Sequence, residues 1–206
     1  MSTDIIDLLA GIAPGSPLQD VRALRPQAKE NAQLSFEALL EPADPGTFPL
    51  SERYAVAAFV AQRHGFEQAA SFYADLLGDE APELVEAVAA AAADGAGSGP
   101  YGVYREPGLA SESTPGPVWE PAESLGLGAR LTSALAHTHL LVFRPRESAP
   151  DALRELVATG WSADDIVKLS QLVAFLTFQL RAAWGLRVLA ENPASSEAAT
   201  VEGAQR

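Results

Sequence analysis

Apolar residues recur at spacings of three and four along most of this chain, and that period predicts helices almost throughout. Residues 1–10 form a short amphipathic segment whose apolar run is interrupted by Asp7. Pro26 suits a first helical turn, and the following 27–40 helix places Leu34, Ala38 and the nearby Leu39 on one side before Pro42 and Pro45 stop it. Ser51 is the expected N-cap of a second helix through Arg63, with Ala55, Val56, Phe59 and Val60 inward and His64-Gly65 at its end. A third helix over 66–77 is turned by Gly78, and Pro82 opens a fourth, rich in alanine, that includes Leu84, Val85 and Val88 and ends at Asp94-Gly95.

From 95 to 128 the texture changes to Gly, Pro and Ser with Tyr101, Tyr104 and Trp119 scattered through it. A connection this long without secondary structure of its own is unusual in a compact domain and reads as a functional lid or a disordered excursion. The aromatics favour an ordered loop on the surface. Helices resume over 129–142 and 148–159, the second opened by a capping box at Ser148-Ala-Pro-Asp151 and stopped by Gly160. Ser162, with Asp164 and Asp165 in the first turn, then starts the longest and most apolar helix, expected to be the central one. The expected fold is all-α: one domain over 1–190 with one long Gly/Pro-rich loop, and a flexible tail over 191–206. No strand-length run, sustained heptad or long repeat is visible in the sequence.

Composition narrows the function classes. The 206 residues suit a single globular domain, and a hydrophobic fraction of 48% with 20% charged residues is that of a soluble protein. Fourteen Lys and Arg against 27 Asp and Glu give a net charge of -13, which argues against a nucleic-acid partner because nothing supplies the counterion-release contribution. The absence of cysteine removes disulfides, thiolate metal sites and thiol nucleophiles. The N-terminus bears acids where a secretory signal has bases, and the most apolar run, 169–180, contains Ser170, Gln171, Thr177 and Gln179, whereas a membrane span needs about 20 apolar residues. A cytoplasmic protein without a membrane anchor is expected.

Candidate chemistry centres on the three histidines. His137 and His139 are two apart, so on a helix their rings face nearly opposite sides and cannot close on one metal ion. No metal site or cofactor is expected. His139 lies four residues past Leu135 and reads either as a hydrogen-bonded core histidine or as a site residue. His64 reads as a C-terminal cap or as a site residue. The run Gly95-Ala-Gly97-Ser-Gly99-Pro100 superficially suggests a phosphate loop, but no strand precedes it, no Lys-Ser/Thr helix start follows it, and a surface loop is the plainer reading. Arg144-Pro145-Arg146 offers either a small-anion clamp or a solvated turn.

Two stretches resemble a known family. Trp161-Ser-Ala-Asp-Asp-Ile-Val-Lys-Leu-Ser-Gln-Leu-Val-Ala-Phe-Leu-Thr-Phe-Gln-Leu-Arg-Ala-Ala-Trp-Gly-Leu-Arg187 is similar to the closing helix of carboxymuconolactone decarboxylase-like, alkyl-hydroperoxidase-D-like proteins. Leu50-Ser-Glu-Arg-Tyr-Ala-Val-Ala-Ala-Phe-Val-Ala61 resembles the helix before their redox motif, and Leu140-Leu-Val-Phe-Arg-Pro-Arg146 adds to the likeness. The resemblance spans most of 50–189 outside the loop and implies an alkyl-hydroperoxidase-D-like helical fold, homo-oligomers and, as a further partner, a cysteine-bearing relative.

The departure from the family pattern is decisive for chemistry. Aligned on the Cys-x-x-Cys motif, this chain has Phe66 and Ala69 at the two cysteine positions, Tyr73 at the histidine position and Tyr54 in place of an upstream Glu. The leading expectation is a peroxidase-related protein that binds a small molecule or assembles with partners, with Arg53, Arg181, Phe66 and Ala69 as the candidate ligand-binding residues around a cavity near Tyr73. Its rival is a cofactor-independent lyase or decarboxylase in which His139 or His64, with Tyr73 and Arg53 or Arg181, moves a proton on a small acidic substrate. A purely structural or regulatory module is a third class. Since thiol peroxidation needs a thiolate that is oxidised and regenerated, the purified chain is expected to consume hydroperoxide with an external thiol donor no faster than a blank. Turnover well above the blank contradicts this.

Overall fold

The computed structural model describes residues 4–192, and all but one of its α-helices share one continuous hydrophobic core. Among the described residues there are nine α-helices and no strand. The fold is therefore all-α. The expected tail lies outside the described residues from 193 onward.

Two short helices and a longer one build one edge. Helix α1 (Ile5–Ala10) is capped by Asp4, whose carboxylate accepts from the Asp7 amide, and ends at Gly11 with φ 69°. Asp4 and Asp7 pair with Arg22 at 3.0 and 3.1 Å, and Lys29 reaches Asp7 at 3.0 Å. These ion pairs tie α1 to α2 (Pro17–Ala23) and α3 (Pro26–Leu40). Helix α2 was not legible in the periodicity. In α3 the buried row is Ala32, Phe36 and Leu40, whereas Leu34 and Ala38 are exposed and Leu39 is half-buried. The expected inner face is thus corrected by rotation: α3 packs against α9, α1 and α4, and the row bearing its one aromatic residue takes the core side.

Helix α4 (Leu50–Arg63) is the centre of the molecule. Nine consecutive residues, 53–61, are buried, because α5, α6, α7, α9 and α3 all pack on it. Four of those nine are alanines, so neighbouring helices can approach on every side, as a helix without a wet face requires. Its N-cap position is Pro49, which offers no side-chain acceptor, and Ser51 lies inside the helix rather than capping it.

Helix α5 (Glu67–Glu80) continues through Gly78, and a 3-10 turn at Pro82–Leu84 leads into α6 (Val85–Asp94). The long connection that follows contains short 3-10 turns at Pro107–Glu112 and Glu123–Leu125 and a single bridge between Gly102 and Thr114. It is anchored by Trp119, which stacks on Phe59 with centroids 5.3 Å apart and donates from Nε1 to Asp94 at 2.8 Å.

Helix α7 (Gly128–Phe143) precedes α8 (Pro150–Ala158) and α9 (Ala163–Glu191). The expected capping box at the start of α8 is not formed: Ala149 is the N-cap, and Asp151 pairs with Arg154 instead. At α9 the expected cap is present, with Ser162 Oγ accepting from the Asp165 amide. By length and composition α9 is the one described helix that could cross a membrane, yet its buried face packs on α1, α3, α4 and α7. It shares the core with α4 rather than forming its centre.

Arg130 fastens the far end of this arrangement. It donates to Glu52 at 2.8 Å, to the Gly160 carbonyl at 2.7 Å and to the Thr47 carbonyl at 2.8 Å, while its guanidinium lies 4.0 Å over the Trp161 ring. Asp165 accepts from Thr47 and Ser162 at 2.6 and 2.8 Å. Burial pushes its carboxyl up, but these bonds, with Lys168 and Arg130 nearby, outweigh it and hold the group below the usual aspartate range.

Because α4 has no slack around it, Ala57→Leu is expected to destabilise the fold by roughly 1–3 kcal/mol through overpacking. Ala38→Leu, on the exposed side of α3, should change stability by no more than about 0.5 kcal/mol. Urea denaturation of the two variants beside the parent chain checks the difference.

Candidate functional site

A pocket forms where the C-terminal ends of α4 and α7 meet the middle of α9. Helix α4 ends at Arg63, and His64 follows as its C-cap residue before Gly65 turns the chain at φ 65°. Helix α7 ends at Phe143, whose carbonyl accepts from the Tyr101 amide at 2.6 Å and so draws the 97–100 loop across the helix end. A side chain at position 99 would stand 3.0 Å from the Phe143 ring and 3.2 Å from its carbonyl oxygen, so the loop lies this close only because the residue is glycine. Helix α9 contributes Arg181. The cavity of about 260 Å³ is lined by Arg63, His64, Gly97, Ser98, Gly99, Pro100, Val142, Phe143 and Arg181.

Its charge arrangement sets it apart. Arg22, Arg130, Arg144, Arg154 and Arg187 each pair with a carboxylate, Arg53 bonds to carbonyls, and Arg146 lies over the Tyr104 ring. Arg25 and Arg105 are exposed and, among the described residues, unpaired on separate parts of the surface. Among the described residues neither Arg63 nor Arg181 has an ion pair or a hydrogen bond, and Arg63 Nε is buried without a partner. Two unneutralised guanidiniums thus share one cavity in a chain of net charge -13. The ends of two helices help to hold them there, since a helix C-terminus has partial negative charge. Burial pulls the Arg63 guanidinium below its ordinary value.

His64 is fixed by its Nδ1, 2.9 Å from the Val60 carbonyl. A carbonyl can only accept, so Nδ1 is the protonated nitrogen and the neutral ring keeps its lone pair on Nε2. Burial pushes His64 below its ordinary value; the Val60 bond opposes that shift and the Arg181 charge adds to it. The ring is therefore a neutral acceptor at pH 7.

The other expected site residues lie elsewhere. His139 Nε2 is 3.1 Å from the Gly95 carbonyl, and its ring sits between Trp119 and Phe143 at 5.1 and 4.6 Å, so it is a buried histidine holding the start of the long loop. Burial lowers its pKa, opposed by the Gly95 bond and assisted by the Arg144 and Arg63 charges. Tyr73 is fully buried and donates to Gln179, and burial drives its phenol far above the ordinary tyrosine value. Phe66, Ala69, Tyr73 and Leu77 form one buried stripe, with Phe66 edge-on to Trp184 at 5.6 Å. Arg53 is buried and donates to the carbonyls of Phe48 and Leu39 at 2.7 and 2.6 Å, with that of Pro45 at 3.4 Å, which satisfies it between the end of α3 and the loop before α4. Arg144 pairs with Glu147 at 2.7 Å and Arg146 lies 3.9 Å over the Tyr104 ring, which makes their segment a packed turn rather than a clamp. Of the expected residues, the pocket unites His64 and Arg181.

What the sequence reading missed is Arg63 and the part taken by the glycine loop. The only local signal for Arg63 was its position beside His64 at a helix end. Among the described residues no group of three His, Asp or Glu is placed to hold a metal ion. No family model matches this chain, and no curated protein matches it.

His137 is buried with both ring nitrogens unpartnered, and burial alone lowers its pKa. The three histidines are all shifted downward, so on acidification the unfolded chain takes up protons first, near its ordinary histidine pKa of about 6.5. Stability is expected to be level above that pH and to fall steadily below it. His137→Leu should flatten part of the fall, as measured by melting temperatures between pH 7.5 and 5.5; an unchanged slope would show that His137 is not responsible.

Proposed function

We propose that this chain is a small-molecule-binding protein, related in architecture to the alkyl-hydroperoxidase-D-like proteins it resembles and without their thiol chemistry, and that the pocket between α4, α7 and α9 is its ligand site. The observation that carries this reading is the meeting of two unneutralised guanidiniums, a neutral imidazole and a glycine loop around one cavity. A volume of about 260 Å³ suits a compact molecule, since drug-sized ligands take roughly 300 Å³ or more. The same features do not favour the lyase reading in its full form, because Tyr73, His139 and Arg53 are satisfied inside the fold and only His64 and Arg181 reach the cavity. A cytoplasmic setting fits this role.

Ser98→Trp fills the pocket from an exposed loop position and leaves the core untouched. Saturation-transfer NMR with a library of neutral and charged fragments is expected to find binders whose signal drops at least tenfold in that variant. If no fragment binds, or binders are indifferent to the substitution, the pocket is not the ligand site.

A second reading, assembly into homo-oligomers, is favoured by the outward face of α9. Val167, Gln171, Ala174, Phe178, Arg181, Gly185 and Val188 are all exposed and alternate at spacings of four and three. This is the seam spacing with which a helix packs along a second helix, and at 1.5 Å per residue it runs about 32 Å. Sedimentation velocity should show a dimer or larger species that Phe178→Glu converts to monomer. A monomeric parent chain at tens of micromolar removes this reading.

A further inference from the structure

We infer that the ligand of the α4–α7–α9 pocket is a small organic oxyanion, a carboxylate or phosphate on a short apolar or aromatic body. The inference rests on the binding reading above and adds the chemistry of the occupant. Three features of the cavity lead to it.

The first is uncompensated positive charge. A guanidinium kept partly out of water without an acceptor is unfavourable, and Arg63 Nε is buried with nothing to accept from it. Carboxylate and phosphate oxygens are the acceptors that match a guanidinium fork, and two forks suit a group with two or three oxygens. The second is the divided character of the wall. Beside the cations the lining includes Val142, Phe143 and Pro100, whose side chains provide an apolar surface for a hydrocarbon or ring but no donor for a second anionic group. The third is His64, whose unprotonated Nε2 has no partner among the described residues and can accept from a hydroxyl on the ligand's body or from a monoprotonated phosphate. A neutral ligand leaves both guanidinium charges uncompensated and the buried Arg63 Nε without a charged acceptor, and a large polyanion exceeds the cavity.

The α1–α3 groove provides the contrast. It is larger, about 540 Å³, but its Lys29 already pairs with Asp7, and Asp4 and Glu30 add negative charge to its lining. An anion has no reason to choose it.

The test uses the full chain and four probes at pH 7.5: benzoate, phenyl phosphate, inorganic phosphate and the neutral isostere benzamide. Isothermal titration is expected to show benzoate or phenyl phosphate binding at least tenfold tighter than benzamide, and weakening as salt is raised. Arg181→Gln and Arg63→Gln should each weaken that binding tenfold or more, whereas Arg154→Gln, on the remote α8, should leave it unchanged. Circular dichroism confirms that each variant is folded; if Arg63→Gln fails to fold, the exposed Arg181 decides the matter alone. Tighter phenyl phosphate than benzoate assigns a phosphate, and the reverse assigns a carboxylate. Inorganic phosphate binding as tightly as phenyl phosphate shows that the apolar wall is unused and overturns the organic part of the inference. Benzamide binding as well as benzoate, with no effect of the arginine variants, overturns the anion inference while leaving the binding reading intact. No binding by any probe or fragment removes both.

Discussion

One helix without a wet face sets the terms for everything packed around it. Helix α4 is buried along nine consecutive residues, and its alanines allow the surrounding helices to approach closely. A helix so enclosed cannot rotate or slide without opening voids on several sides at once, and close-packed interiors do not tolerate that. Its two ends are fixed as a result. At the first, Glu52 meets the Arg130 clamp; at the second, Arg63 and His64 emerge beside the end of α7 and the middle of α9.

The electrostatics follow from that placement. Two helix C-termini brought together create partial negative charge, and the guanidiniums of Arg63 and Arg144 collect beside them. The carbonyls at those ends are already taken: Val60 by His64, Leu140 by the Arg144 amide and Phe143 by Tyr101. Arg63 and Arg181 are left with positive potential and no internal acceptor. The acidic surface does not cancel this locally, because exposed charges more than about 10 Å away are screened at ordinary ionic strength. A chain of net charge -13 can hold a cationic pocket for this reason.

The helices whose pattern was strong were legible in the sequence, and those whose boundaries depend on tertiary partners were not. The spacing of Ala55, Val56, Phe59 and Val60 places α4, and Ser162 with its acids starts α9 where expected. Helix α2 is too short for a periodic signal and is held by the Arg22 ion pairs rather than by an apolar stripe. The Ser148 capping pattern did not form because Pro150 opens the helix two residues later, so that Asp151 pairs with Arg154. Periodicity also could not separate a helix buried on every side from one buried on a single face. Helix α9 looked more central than α4 because its longer side chains weigh more, although Val167, Phe178 and Trp184 are exposed.

The pocket was legible only in fragments. His64, Arg181 and the glycine run each stood out, but they come from three separate parts of the chain, and local spacing says nothing about such a meeting. The pattern behind Phe66, Ala69 and Tyr73 led to a core stripe instead. The central claim, that the ends of α4 and α7 form the ligand site of this chain, is most directly tested by a ¹H–¹⁵N correlation titration of the full chain with phenyl phosphate. The account predicts shifts concentrated at Arg63, His64, Gly97, Ser98, Gly99 and Arg181. Shifts centred instead on Lys29 and Gln33 in the α1–α3 groove, or none at millimolar probe, would contradict it.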